Sequence, residues 1–289
     1  MMGLPKELLK ERLLDYLRED VGQGDITSVL LVGEGACAKG DIFAKEKGIV
    51  AGMEEIEILL EAIGIRCKPL VKDGSKIEPG MILAHIEGDA RCMLTVERTI
   101  LNVLCRMSGI ATETRDLQDK VASVNPNAKV ASTRKVAPGC LYFDKRAVMI
   151  GGGDLHRLHL DDLILIKDNH IALAGGVREA VQKARRGSFT KKIEVEVTSL
   201  EEALEASEAG ADIIMFDNMP PAGIKTAIER LRREVNRNLT FEASGGINAS
   251  NILEYARSGV DILSLGCLTH SPKSLNMSLE IRGMLRSQT

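Results

Sequence analysis

The sequence predicts a mixed α/β chain, a small α+β region over residues 1–107 followed by an α/β barrel over residues 108–271. Two observations predict it. Short strand-like runs, broken by Asp-Gly and Pro-Gly turns, fill the first region. After Gly109 a helix comes first, and the pattern then changes to strands alternating with helices, the rhythm that builds parallel sheets.

The elements follow in order. Leu8/Leu9, Leu13/Leu14 and Leu17 repeat at helical spacing and give an amphipathic N-terminal helix. Its charges leave no apolar h-region, so it does not read as a signal peptide. "AKGDIFAKEKGIVAG" and "RCKPLVKDGSKIEPGMILAHIEG" read as short strands, turning at Asp73-Gly74 and Pro79-Gly80. The second piece is like half of a lipoyl-type sandwich, but no lysine-tipped hairpin joins two such halves. "MLTVERTILNVLCRM" reads as one helix with Leu94, Arg98, Asn102 and Arg106 along one stripe, where Arg98 would simply snorkel at the edge. Six strands come next: "KVAST", "LILI", "KIEVEV", "DIIMF", "LTFEAS" and "DILSL". Between the later ones lie helical patterns such as "VREAVQKARRG", "LEEALEASEAG" and "AGIKTAIERLRREVNRN". Each later unit runs about 20 to 30 residues, enough for a strand and its crossover helix. A closed α/β barrel fits such an array. A doubly wound open sheet is the alternative, against which no GxGxxG follows the first strand.

Composition excludes several function classes. A net charge of −3 and a pI near 6.0 supply no global basic field for nucleic acid or membrane. Three tyrosines, five phenylalanines and no tryptophan leave little for a base-stacking surface. The six cysteines form no CxxC pair, so neither a zinc ribbon nor a redox dithiol is expected, and reduced thiols in a cytoplasmic setting are. No apolar run approaches transmembrane length.

Barrel enzymes keep their chemistry at the C-terminal ends of the strands. Those ends carry Arg134 and Lys135, then Lys167, Glu196, Asp217, the Ser244-Gly245-Gly246 turn and Gly266. "LILIKDNHI" is the most pointed of them. Leu163 to Ile166 reads as a strand buried on both faces, yet it ends on Lys167, which must then face anions. "EASGGI", before a helix expected to start near Asn248, and "SLGCLTHS" follow the last two strands, where barrels commonly bind phosphate through backbone N–H groups. A plain tight turn is the other reading of Ser-Gly-Gly. Glu194 and Glu196 share one face of "IEVEV". With Asp217 they offer oxygens to Mg²⁺, through its waters, or to ribose hydroxyls, unless Glu194 only pairs with a lysine inside the barrel. "GGGDLHRLHLDD" reads as a glycine-rich anion loop with His156 and Arg157, while zinc on His156 and His159 lacks a third ligand. The whole suits a substrate with several phosphates or carboxylates.

"STRKVAPG", "GGGDLHR", "LILIKDNHI", "EVEV", "MFDNM", "EASGGI" and "SLGCLTHS" occur in the order seen in the quinolinate phosphoribosyltransferase family. "REDVGQGDITS" and "ERTILNVLCRMSGIAT" match as well, so the chain resembles that family over nearly its whole length. Members join quinolinate to 5-phosphoribosyl-1-diphosphate, releasing CO₂ and pyrophosphate and yielding nicotinate mononucleotide for NAD synthesis. The resemblance implies an N-terminal α+β sandwich domain on an incomplete TIM-like barrel, with a C-terminal helix over residues 272–289 packing back on the first domain. It also implies a homodimer with shared active sites, or a hexamer of dimers, and Mg²⁺ as cofactor. Arg134, His156, Arg157 and Lys167 would grip the quinolinate carboxylates, with Arg98 crossing from the partner subunit. Lys135 would lie between quinolinate and the diphosphate, Glu196 and Asp217 would hold the ribose hydroxyls and Mg²⁺, and Ser244, Gly245, Gly246 and Gly266 would cradle the 5-phosphate. Lys135, Lys167, Glu196 and Asp217 form the implied catalytic set.

Three departures stand out. Ser132 occupies the place of an Asp before Thr-Arg-Lys, Leu155 that of an Asn before His-Arg, and "KVAPGCLYFDKRAV" replaces a Thr-Thr-Pro-Gly-type run. They touch the support of the substrate grip and leave its charges intact. Rival readings are a related phosphoribosyltransferase for another aromatic acid, a Schiff-base lyase through Lys167, and a phosphate-binding barrel without chemistry.

Overall fold

The computed structural model describes residues 4–284, which divide into two compact units. The first holds residues up to 113, residues 142–151 and residues from 272 on; the second holds 114–141 and 152–271. In chain order the strands are β1 (Cys37–Ala44), β2 (Gly48–Ile49), β3 (Arg66–Pro69), β4 (Lys76–Ile77) and β5 (Ile82–Asp89) in the first unit. The second unit carries β6 (Lys129–Ser132), β7 (Ile164–Ile166), β8 (Ile193–Val197), β9 (Ile213–Asp217), β10 (Thr240–Ser244) and β11 (Ile262–Leu265). The last strand, β12 (Met277–Met284), belongs again to the first unit.

In the first unit an antiparallel sheet runs β12-β1-β5-β3, and β2 pairs with β4. One expectation needs correction here. The segment over 272–289, expected as a helix, forms β12 along β1, and its residues 285–289 lie outside the described part. The reason is its period of two: buried Met277 and Leu279 alternate with Ser278 and Glu280. One helix, Ala90–Ala122, runs unbroken through the expected boundary at 107/108 and links the two regions. Gly109 within it has no side chain because a Cβ there would lie 1.9 Å from the carbonyl oxygen of Lys273.

Helix Leu141–Gly151, which starts inside the "KVAPGCLYFDKRAV" run, groups with the first unit through buried charge. Fully buried Asp144 takes both ends of the Arg106 guanidinium at 2.7 and 2.8 Å. Arg146 meets buried Glu55 at 2.6 Å, and desolvation still pushes that carboxyl up to about 7.

The second unit is a six-stranded parallel sheet in the order β6-β11-β10-β9-β8-β7. Among the described residues β6 and β7 do not pair with each other, and Asp154, ahead of β7, bridges to Ala131 of β6 instead. The ring is therefore an incomplete barrel. Being an edge strand, β7 is only half-buried at Ile164 and Leu165, which corrects the expectation of a strand buried on both faces. Two aspartates level the strands. Asp212, just before β9, accepts the Ile193 N–H of β8 at 2.8 Å, and Asp261, just before β11, accepts the Phe241 N–H of β10 at 2.8 Å. Strand alternation then sends Val195, Ile214, Phe216, Ala243 and Leu263 into the apolar core, each fully buried, and their neighbours to the opposite face. The helix expected near Asn248 begins at Ile252, because Asn248 Oδ1 accepts from Ser250 N in a local turn. No helix of the described residues is long and apolar enough to cross a membrane.

Candidate active site

The tips of all six strands of the second unit meet at one cavity of about 550 Å³. Arg134 reaches it after β6, Lys167 after β7, Glu196 from β8, Asp217 from β9, Ser244 from β10 and Ser264 from β11. Only a curled sheet brings the ends of both edge strands to one opening. The larger cavity, about 740 Å³, lies in the first unit, and its charges answer one another, as in the contacts of Asp41 with His85 and Arg282.

Lys167 stands at the mouth because its three polar successors start a helix. Asp168–Ala174 is helical, and His170 Nδ1 accepts the Lys167 N–H at 3.0 Å, closing the first turn. The ammonium of Lys167 bonds Glu196 Oε1 across the neighbouring strand. The cation therefore faces an anion, as its position requires.

Deeper in, His156 is held by two fully buried carboxylates. Its Nε2 lies 3.2 Å from Glu194 Oε1 and 2.9 Å from Glu242 Oε2. Burial of the ring works against its charge, but the hydrogen bonds and charge of the two carboxylates together outweigh it and lift the imidazole to about 10. The imidazole is thus an imidazolium at neutral pH, with Nε2 committed to the protein. Among the described residues Glu194 pairs with this histidine and with no lysine. Zinc on His156 and His159 is not supported by geometry: His159 groups with exposed Asp161 and Asp162, apart from the His156 cluster. Arg157, buried beside Arg134, has its guanidinium held below its usual range by desolvation first and by that second cation next.

Lys135 lines the same cavity, its carbonyl accepting the Thr269 hydroxyl at 2.8 Å. Gly266 does not line it. A Cβ at Gly266 would lie 3.1 Å from the His270 ring and 3.3 Å from Lys135 Cδ, so the glycine leaves room for both side chains. Gly245 and Gly246 take left-handed φ values of +91° and +64°, which glycine alone adopts without cost. Arg98 is not brought in: it is exposed on helix Ala90–Ala122 in the first unit. Leu165, Met215 and Glu242 also line the cavity and were missed. The signal was available, since each sits two residues before a rim residue on the same strand face.

Glu196 and Asp217 are the carboxylates of the cavity on adjacent strands at its rim. Two hard oxygen donors beside room for a phosphorylated substrate suit Mg²⁺, which binds through one or two carboxylates and substrate phosphates.

The family model described as quinolinate phosphoribosyl transferase, N-terminal domain, matches residues 25–108, and the C-terminal domain model matches 110–280. A probable nicotinate-nucleotide pyrophosphorylase [carboxylating] from Methanocaldococcus jannaschii is 51% identical over 282 residues, 95% of this chain and 99% of that one. The human nicotinate-nucleotide pyrophosphorylase [carboxylating] is 34% identical over 279 residues, 96% of this chain and 93% of that one. The crystal structure of NadC from Streptococcus pyogenes superposes with a TM-score of 0.90 at 36% identity, covering 99% of each chain. A fold shared over its length, two domain models in sequence and a cavity ringed by the motifs' charged side chains lead to one assignment: the chain belongs to the quinolinate phosphoribosyltransferase family.

Proposed function

We propose that the chain transfers the phosphoribosyl group of 5-phosphoribosyl-1-diphosphate to quinolinate and decarboxylates the product to nicotinate mononucleotide. One observation carries this reading. A single cavity sets Arg134, Arg157 and Lys167 beside apolar Leu165 and Met215, and sets Glu196, Asp217 and the Ser244–Gly246 turn around them. The cations match a pyridine dicarboxylate, with bidentate contacts available from the arginines. The apolar pair suits the faces of its ring. The acids and the glycine turn match a ribose and its 5-phosphate.

The chemistry follows from the placement. The pyridine nitrogen attacks C1 of the ribose, the C1–O bond breaks, and its electron pair leaves with pyrophosphate. No strong base is needed, because that nitrogen already holds a free lone pair. Holding both substrates in line supplies much of the rate. Glu196 and Asp217 stand near the positive charge that develops at C1, and Lys135 between the two substrates draws the leaving diphosphate. Bound at Glu196 and Asp217, Mg²⁺ would neutralise charge on the diphosphate. The ribosylated ring nitrogen is cationic and stabilises the electron pair left at C2 when CO₂ departs; a proton from water completes the product.

Arg98 enters this reading as a residue supplied by a second copy, since its own unit leaves it exposed. A homodimer with shared sites, alone or within a hexamer, belongs to the same proposal. So does a cytoplasmic setting, consistent with cysteines that form no CxxC pair. The test is product analysis: quinolinate, phosphoribosyl diphosphate and Mg²⁺ should yield nicotinate mononucleotide and pyrophosphate in equal amounts. Covalent trapping of substrate on Lys167 by borohydride would favour the lyase reading instead.

A further inference from the structure

We propose that Asn218 is a positioning residue for phosphoribosyl transfer, tying the Asp217 carboxylate to the turn after β10. The inference rests on the reading of Asp217 and Ser244–Gly246 as the sugar-phosphate side of the cavity. Among the described residues, the non-glycine positions with positive φ are His156 at +52° and Asn218 at +53°. Both line this one cavity. Such conformations cost free energy outside glycine and gather at functional sites. Asparagine reaches the left-handed region more readily than most side chains because its short amide bonds locally.

Here that amide and its backbone make three ties. Asn218 Nδ2 donates to Asp217 Oδ2 at 2.9 Å, which fixes the carboxylate and leaves its Oδ1 to a hydroxyl or cation. The Asn218 N–H donates to the Ser244 carbonyl at 2.9 Å, continuing the β9–β10 ladder one bond past the Asp217–Ser244 pair. Asn218 Oδ1 fills the side of Gly245, where a Cβ would fall 2.3 Å away. This explains Gly245 twice over, by its φ and by its missing side chain. Asn218 itself is exposed, so water could satisfy its amide in place of Asp217. Its contacts run to the two parts that would grip the sugar and the 5-phosphate. Asn218 acts through Asp217 and the turn, without needing to touch the reacting atoms.

Three variants test this, each read by isothermal titration with phosphoribosyl diphosphate in Mg²⁺, and separately with quinolinate. Asn218→Gly removes the amide yet keeps the left-handed backbone free of strain. It should weaken phosphoribosyl diphosphate binding about tenfold, the loss of a hydrogen bond to a charged group, with quinolinate affinity held within about twofold. Asn218→Ala adds backbone strain and should weaken it further. Asp217→Asn is the control on the underlying reading. Normal phosphoribosyl diphosphate affinity in Asn218→Gly alongside weakened binding in Asp217→Asn overturns the role of Asn218 alone. Normal affinity in both overturns the sugar-phosphate reading and this inference with it. An equal loss of both ligands in Asn218→Gly, with a lowered melting temperature, also overturns it, by showing a merely structural part.

Discussion

His156 Nε2 lies 2.9 Å from Oε2 of the fully buried Glu242, at the inner end of the cavity. The pair sets a pH dependence whose sign is fixed. The folded imidazole is lifted to about 10 from an ordinary 6.5, so folded protein binds a proton there that unfolded chain has released. Its stabilisation is complete below about 6.5 and is lost as pH rises through about 10. Urea denaturation should show stability falling from neutral pH toward pH 10, and His156→Asn should flatten that slope. An equally steep slope in the variant would show that other groups set it.

The Lys167–Glu196 ion pair predicts a split between substrates. Glu196→Gln frees the lysine for a carboxylate and removes an acid from the sugar side. The quinolinate KM should hold or fall while kcat drops about a hundredfold, the scale of losing a group that stabilises transition-state charge. Steady-state kinetics with each substrate varied in turn checks this. A raised quinolinate KM with normal kcat would place Glu196 on the wrong side.

In the first unit, Asp144→Ala should destabilise the fold by about 3 kcal/mol, the lower end for breaking a buried pair because Arg106 is partly exposed. Thermal and urea unfolding read this directly. A change near zero would mean that water replaces the carboxylate freely.

Shared sites predict complementation. Arg134→Ala leaves a substrate carboxylate unpaired and should cost about 2–5 kcal/mol of quinolinate binding. Mixed with Arg98→Ala, it should regain part of the activity in heterodimers, which hold one site with both arginines. Verified heterodimers without activity would rule out exchange of Arg98 between copies.

Much of the barrel was legible because its strands are short apolar runs with polar tips. "KVAST" through "DILSL" correspond to β6 through β11 within a residue or two at either end. The rim residues were readable for the same reason: a charge ending an apolar strand has few places to go except a cavity. What escaped depends on partners remote in sequence. "MSLEIRGM" alternates over only its first four residues and finds its partner in β1, far upstream, and helix Leu141–Gly151 groups with the first unit through Arg106 and Glu55, which also lie far upstream. The Glu194–His156–Glu242 cluster was hidden likewise, since 86 residues separate His156 from Glu242.

The most direct measurement is release of labelled CO₂ from quinolinate carrying ¹⁴C in its 2-carboxylate, with and without phosphoribosyl diphosphate. One cavity that ribosylates the ring before breaking its carbon–carbon bond predicts label release only when the diphosphate and Mg²⁺ are both present, matched by nicotinate mononucleotide. Release without the diphosphate, or mononucleotide formed with the label retained, would contradict it.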